Sequence, residues 1–209
     1  MSGAASLPKL KLSVRLGASS DIALRIETSD LRFVAITGMA KTAPMRVTAP
    51  SHGIPDLWQV SVIDSRGMTE MNADDANKLR DADFNEVTVI DANTVDFTSV
   101  SSASFKTYTG GGYLVYYVPL DLSGYTAARM DIKRRVGGDV ELALSTAAGT
   151  LEIDAAAYTL WIRLDESDIA ALSAREYVFD IELVSPTAID AVCSADSVFE
   201  VLPEVTTSV

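Results

Sequence analysis

Short runs in which apolar and polar residues alternate are the feature that most constrains the fold of this chain. The first run, Lys9–Leu16, has apolar residues at every even position and polar residues at every odd one. A period of two is that of a half-buried β-strand, because successive side chains point to opposite faces of a sheet. After a turn at residues 17–21, the alternation resumes at residues 22–26. The two runs predict a β-hairpin.

Similar short runs continue along the chain and predict an all-β protein. One short helical turn is predicted at residues 165–172, where acidic residues precede an apolar Ile169/Leu172 pair. The other predicted strands are residues 31–37, 45–48, 57–63, 85–90, 95–99, 114–119, 126–134, 140–145, 150–154, 159–164, 177–184, 188–193 and 198–201.

The stretch at residues 99–112 is rich in Ser, Thr and Gly and ends in three consecutive glycines, Gly110–Gly112. This composition is typical of a flexible connection, so we predict a seam between two domains there. The seven or eight short strands after the seam, joined by short turns, favour an immunoglobulin-like β-sandwich over residues 113–209.

The charge balance argues against two classes of partner. The chain has 29 Asp and Glu against 17 Lys and Arg, a formal net charge of -12. Such a chain is repelled by phosphate backbones and by anionic membranes, so neither nucleic acid nor membrane is an expected partner. Residues 1–8 lack the cationic start of a signal peptide, and no apolar run approaches the ~18 residues of a membrane span. We therefore expect a soluble protein made in a cytoplasm.

The single cysteine and the single histidine are weak candidates for catalysis. Cys193 excludes an intrachain disulfide, and we predict it on a buried strand, where cysteine acts as a small hydrophobic residue. His52 follows a β-run and precedes a glycine, which predicts a turn cap bonded to the backbone. One His and one Cys are too few for a zinc site, and a catalytic base at His52 would also need a nucleophile or a metal within reach. We expect no enzymatic activity, no metal and no cofactor.

Two groups of acidic residues are further candidates for chemistry. Asp180 and Glu182 alternate with apolar residues, which predicts the polar face of a strand and not the paired carboxylates of a glycosidase. The other group offers the oxygen ligands that calcium takes, but it lacks the spacing of a calcium loop and has Lys78 and Arg80 within it. A solvated loop is the prediction for this group, which consists of Asp74, Asp75, Asp81 and Asp83.

Tyrosines are concentrated beside the glycine run, at Tyr108, Tyr113, Tyr116 and Tyr117. The favoured prediction places Tyr113 and Tyr117 on the core face of one strand, with Tyr116 on the opposite face. The alternative is that exposed tyrosines, Tyr116 among them, stack on sugars or anchor an interface. The two tryptophans, Trp58 and Trp161, are predicted to lie in cores.

The first part of the chain carries a family resemblance. The sequence segments that carry it are Val47–Asp56, Val60–Val62 and Arg66–Asn72. Together they resemble a module common in structural proteins of tailed bacteriophages, a small β-barrel like the first catalytic cysteine half-domain of ubiquitin-activating enzymes. The resemblance implies a barrel over residues 36–112, preceded by a separate N-terminal segment, residues 1–35.

A second resemblance covers the C-terminal part of the chain, in the sequence segments Pro119–Met130, Tyr177–Val184 and Val201–Thr206. They resemble the sandwich domain that recurs in phage tail, baseplate and fibre-associated proteins. The two resemblances imply a virion component that acts by contact with other virion proteins, as a homo-oligomer in a symmetric assembly. A tail, tail-tip or collar subunit is the first hypothesis. The alternatives are a capsid decoration or head-fibre protein, and a module that adsorbs to host-surface glycans or proteins through Tyr116.

The N-terminal hairpin is the predicted assembly segment. A two-stranded ribbon is marginal alone, so it must pack on its own core, pair with a neighbouring subunit or extend a partner's sheet. Its alternating basic side chains, Lys9, Lys11 and Arg15, suit an acidic partner surface. Packing on its own core is an equally weighted alternative.

Overall fold

The computed structural model describes residues 8–204 and divides them into two compact units. The first unit comprises residues 8–26 and 119–204, and the second is Glu27–Val118. The second unit is therefore an insertion within the first. The first seven residues of the expected leader, and Val205 and Thr206 of the closing phrase, lie outside the described residues.

Almost all of the regular structure is β, which confirms the predicted all-β class. The one α-helix among residues 8–204, α1, is Glu166–Ala170, within the predicted turn at residues 165–172, and 3-10 turns lie at Thr69–Met71 and Asp81–Asp83. The strands are Lys11–Arg15 (β1), Ser20–Arg25 (β2), Glu27–Ala35 (β3), Gly38–Met39 (β4), Met45–Thr48 (β5), Trp58–Ile63 (β6), Asn85–Asp91 (β7), Thr94–Phe97 (β8), Tyr113–Pro119 (β9), Ala127–Lys133 (β10), Val140–Ser145 (β11), Leu151–Asp154 (β12), Thr159–Leu164 (β13), Arg175–Val184 (β14), Ile189–Ala191 (β15) and Ser197–Leu202 (β16).

The first unit contains two sheets with a common hydrophobic core. The larger sheet has the order β1-β16-β14-β10-β11, with β15 on β14, and the smaller has the order β12-β13-β2. Side chains from both sheets meet in the core, among them Val14, Met130 and Ile162. In β14 every second residue from Tyr177 to Leu183 is buried, as expected for a strand with one face on the core.

The predicted N-terminal hairpin is wrong. β1 runs parallel to β16, with Lys11 opposite Val198, while β2 runs antiparallel to β13 in the other sheet. Alternation identifies each strand but contains no information about its partner. Leu12 and Val14 of β1 are buried in the core of the first unit, and Leu24 of β2 packs against the same core. Both strands therefore belong to the first unit, so residues 8–26 are not a separate module, and residues 27–35 of the predicted N-terminal segment belong to the second unit.

The second unit is built on a sheet with the order β3-β9-β6-β7-β8-β5-β4. Its two end strands differ in length, since β3 has nine residues and β4 has two. The fully buried side chains in this unit include Met45, Val47, Trp58, Val60, Val87, Val95, Phe97 and Leu114. β4 is the one strand of this sheet that the sequence pattern did not predict.

The predicted seam at Gly110–Gly112 is also wrong, because these glycines belong to the body of the second unit. The carbonyl of Gly110 accepts the Arg66 N–H at 3.0 Å, and that of Gly112 accepts the Ile36 N–H at 3.0 Å. The chain passes between units at residues 26/27 and 118/119 instead. Within the first unit, the Leu120 N–H donates to the Ile26 carbonyl at 2.9 Å. The chain therefore leaves and re-enters the first unit at neighbouring points.

Candidate functional site

Two of the three basic side chains predicted as assembly contacts are paired within the first unit. Lys9 Nζ lies 2.9 Å from the Asp196 carboxylate, and Lys11 Nζ lies 3.2 Å from that of Glu200. Arg15 is exposed and has no ion pair within residues 8–204. Two of the three basic side chains thus have carboxylate partners in their own unit, which weakens the charge argument for an acidic partner.

His52 is buried, with 1% of its surface exposed, and both ring nitrogens are bonded. Nδ1 accepts the Ile54 N–H at 3.0 Å, so the proton of the neutral ring is on Nε2, which donates to the Asp91 carbonyl at 2.8 Å. The prediction that His52 caps a turn through the backbone is confirmed. Neither nitrogen is available as a base or a metal ligand in this conformation.

Tyr116 is buried, with 1% of its surface exposed, and its hydroxyl donates to the His52 carbonyl at 2.9 Å. Tyr113, predicted in the core, is 43% exposed instead. Both tyrosine predictions are therefore wrong, including the adsorption surface at Tyr116. The reason is that β9 is an inner strand in which Leu114, Val115 and Tyr116 are all buried, so both faces of its middle are covered and alternation fails.

The acidic loop of the second unit is organised by Arg80. Its guanidinium Nη2 lies 2.5 Å from the Asp74 carboxylate and 3.1 Å from that of Asp83. The Asp83 carboxylate also accepts the Arg80 backbone N–H at 2.7 Å, and these hydrogen bonds lower the pKa of Asp83. Two of the four carboxylates of this acidic group, those of Asp74 and Asp83, thus form ion pairs with a cation of the same loop.

The remaining candidates occupy structural positions. Cys193 is buried, but it follows β15 and is not part of a strand, and burial raises the pKa of its thiol. Glu182 is half-buried and pairs with Arg129 at 2.5 Å on the polar side of β14, as the alternation predicted. Trp58 is in the core. Trp161 is only half-buried, beneath the Arg163 guanidinium at 4.8 Å, so its predicted core position is wrong.

A recess that the sequence did not indicate lies in the second unit. Phe84 and Tyr117 stack with ring centroids 5.5 Å apart, and Gln59, Asp81 and Glu27 complete the lining. Its volume is about 300 Å³, at the lower end of the range for small-molecule sites. Burial, with a smaller contribution from the charge of Asp81, raises the pKa of Glu27.

The most exposed regular element of the second unit is β3, at one end of its sheet. Seven of its nine residues are exposed, including Leu31 at 36% and Phe33 at 52%. β9 is its one neighbour in the sheet order, so along its other side the strand has no partner among the described residues. A strand of this length with a free edge is a template for pairing with another chain. Sequence alternation identified a strand here, at residues 31–37, but not that it lies at an edge.

The chain matches no protein-family model, and no curated protein matches it. In the part of the chain that the structure describes, no helix is long and apolar enough to cross a membrane. The same residues contain no group of three or more His, Cys, Asp or Glu side chains placed to hold a metal ion.

Proposed function

We propose that this chain is a non-enzymatic structural component of a tailed-bacteriophage virion, a tail, tail-tip or collar subunit that acts through protein–protein contacts. The observation that carries the proposal is the free edge of β3, with Leu31 and Phe33 exposed on it. Monomeric proteins protect long edges with charge, proline or a covering loop; β3 has charged residues, but it has no proline and no second neighbouring strand among the described residues. An edge left open over nine residues supports a role in which another subunit covers it.

The virion part of the proposal rests on the two phage-module resemblances, in residues 47–72 and 119–206. The side chains most often used in catalysis support a contact role. His52 has both ring nitrogens bonded to the backbone, and the thiol of Cys193 is buried with a raised pKa, which disfavours the reactive thiolate.

Of the alternatives, a capsid decoration or head-fibre protein would use the same edge and differs only in its position on the particle. Adsorption to the host surface through Tyr116 loses its support, because that ring is buried and its hydroxyl is bonded to His52.

Immunogold electron microscopy of purified phage particles, with antibody raised against this chain, tests the proposal. We expect gold confined to the tail, its tip or the collar. Label spread over the head would assign the chain to decoration or head fibres instead. Absence of label on both intact and disrupted particles would contradict any virion role, provided that the same antibody detects the purified chain added to a control grid.

A further inference from the structure

We infer that β3 pairs with β3 of a second copy, antiparallel and centred on Leu31, so that the two chains form a two-fold dimer through this edge. The inference rests on the proposed assembly role, because it names the partner of the same free edge. In this register all nine residues of each strand, Glu27–Ala35, lie opposite residues of the other strand.

The choice of edge follows from length and exposure. The other strands at the ends of the sheet orders have two to six residues: β4 two, β12 four, β1 five, and β2 and β11 six. β3 has nine, and Leu31 and Phe33 are two of the large exposed apolar side chains. An isologous contact uses this edge on both chains and leaves neither of the two edges open.

The charges on β3 are complementary to themselves in this register. An antiparallel pair centred on Leu31 places Asp30 of each copy directly opposite Arg32 of the other, which gives two opposite-charge pairs on one face. Both side chains are exposed, and neither has an ion pair within residues 8–204. Shifting the register by two residues in either direction loses both of these pairs, because the two-fold axis makes them equivalent.

The apolar residues of β3 lie on the other face and are complementary as well. Leu31 meets the second copy's Leu31 across the two-fold axis, and each Phe33 is the diagonal neighbour of the other copy's Leu31. Ser29, a small residue, stands opposite Phe33 and leaves room for the ring. The pairing thus covers the exposed apolar side chains of the strand in one continuous strip.

The Arg32 side chain is exposed. Its guanidinium lies beside the turn at Gly53, where a Cβ atom would be 3.2 Å from Nη1. The residue is therefore accessible to the Asp30 carboxylate of a second copy.

Cysteine cross-linking tests the register. In Leu31→Cys the two thiols face each other across the axis, within reach of a disulfide, whereas in Ser29→Cys they are four residues out of register. Under mild oxidation we expect a cross-linked dimer from Leu31→Cys and monomer from the Ser29→Cys control. The native Cys193 is buried and does not compete. Equal cross-linking of both variants, or of neither, would overturn the proposed register.

Charge reversal tests the recognition. We expect sedimentation velocity of the full chain to show a species of twice the 22.3 kDa chain mass as the concentration approaches about 0.5 mM, since a contact of this size is weak. Asp30→Arg and Arg32→Asp should each weaken dimerisation at least tenfold, and the double variant should restore it. Equal dimerisation by all four proteins would refute the charge pairing.

These outcomes separate the inference from the proposed function. A monomer at every concentration, with gold on phage tails, would overturn self-pairing. The free edge of β3 would then be assigned to a contact with a different virion protein. A dimer with the expected cross-link, but no gold on particles, would support the inference and contradict the virion role.

Discussion

The buried His52 joins three segments of the second unit. Its ring bonds the Ile54 N–H and the Asp91 carbonyl, and its own carbonyl accepts the Tyr116 hydroxyl. A buried ring with every polar atom bonded fixes the local backbone, because an unmade bond there would leave a desolvated polar group. The single histidine of the chain therefore acts as a structural cross-connection.

Gly112 carries the strictest steric requirement in the segment predicted to be flexible. Its φ is +89°, and a Cβ there would lie 2.8 Å from the Ser65 Cα and 2.9 Å from the Ile63 carbonyl oxygen. Since these are backbone atoms, the strain cannot be relieved by a rotamer change. We expect Gly112→Ala to lower the free energy of unfolding by about 2 kcal/mol or more, measured by urea denaturation.

Gly124→Ala is the matched control for this variant. Gly124 does not have the positive φ of Gly112, and its Cβ position has no atom within 4 Å, so stability should change little. Equal stability of Gly112→Ala and the native protein would show that the second unit relaxes around residue 112.

At the scale of elements, the local alternation of apolar and polar residues predicted where strands lie, but not which faces of each strand are buried by other parts of the unit. The bounds 45–48, 140–145 and 159–164 were predicted to the residue, because turn residues and alternation mark both ends. The orientation of the tyrosines in β9 was not predictable, since it depends on the strands that flank β9 on both sides. The exposed edge of β3 depends on the same long-range information.

The helix α1 provides an element whose stability should depend on pH. The Asp165 carboxylate caps it, accepting the Ser167 hydroxyl at 2.6 Å and the Asp168 N–H at 3.0 Å. These bonds lower the pKa of Asp165, the Ser167 hydroxyl contributing most. The folded protein thus holds this proton less tightly than the unfolded chain, so the stabilisation is present above the ordinary Asp pKa and is lost as the pH falls through the lowered value.

We expect Asp165→Ala to reduce the Tm at pH 7 by about 1–4 °C, followed by circular dichroism. The difference from the native protein should shrink as the pH falls below about 4, where the Asp165 carboxylate of the unfolded chain protonates first, and it should be lost once the pH falls through the lowered pKa of the folded protein. Glu166→Ala is the control, since Glu166 lies in the same turn and makes no hydrogen bond to the cap among the described residues. A difference that is constant with pH would show that the charge of Asp165 has no part in capping.

At the scale of the whole molecule, the insertion is the main departure from the sequence prediction. The two resemblances predict a barrel domain followed along the chain by a separate sandwich domain. The structure instead assigns β1 and β2 to the first unit, with the second unit between them and the remainder. Pairings such as that of Lys11 with Val198 span most of the sequence, and local periodicity cannot predict them.

The adjacent chain crossings predict that the insertion is removable. Because the Leu120 N–H bonds to the Ile26 carbonyl, two glycines in place of residues 27–118 should close the gap without strain. We expect the shortened chain to unfold cooperatively in urea, with a smaller m-value than the full chain. Residues 27–118 expressed alone should also fold. A shortened chain without a cooperative transition would show that the first unit needs the insertion to fold.

The parallel pairing of β1 with β16 has a consequence for protein synthesis. β1 is translated before the other described strands, yet its partner residues are translated 187 positions later. The inserted unit is complete at residue 118, so it can fold while β1 and β2 still lack their partner strands. At bacterial elongation rates, roughly ten seconds pass between the completion of the insertion and the synthesis of β16. Only a chain translated through β16 can pair β1, so a prematurely terminated chain is left with β1 unpaired.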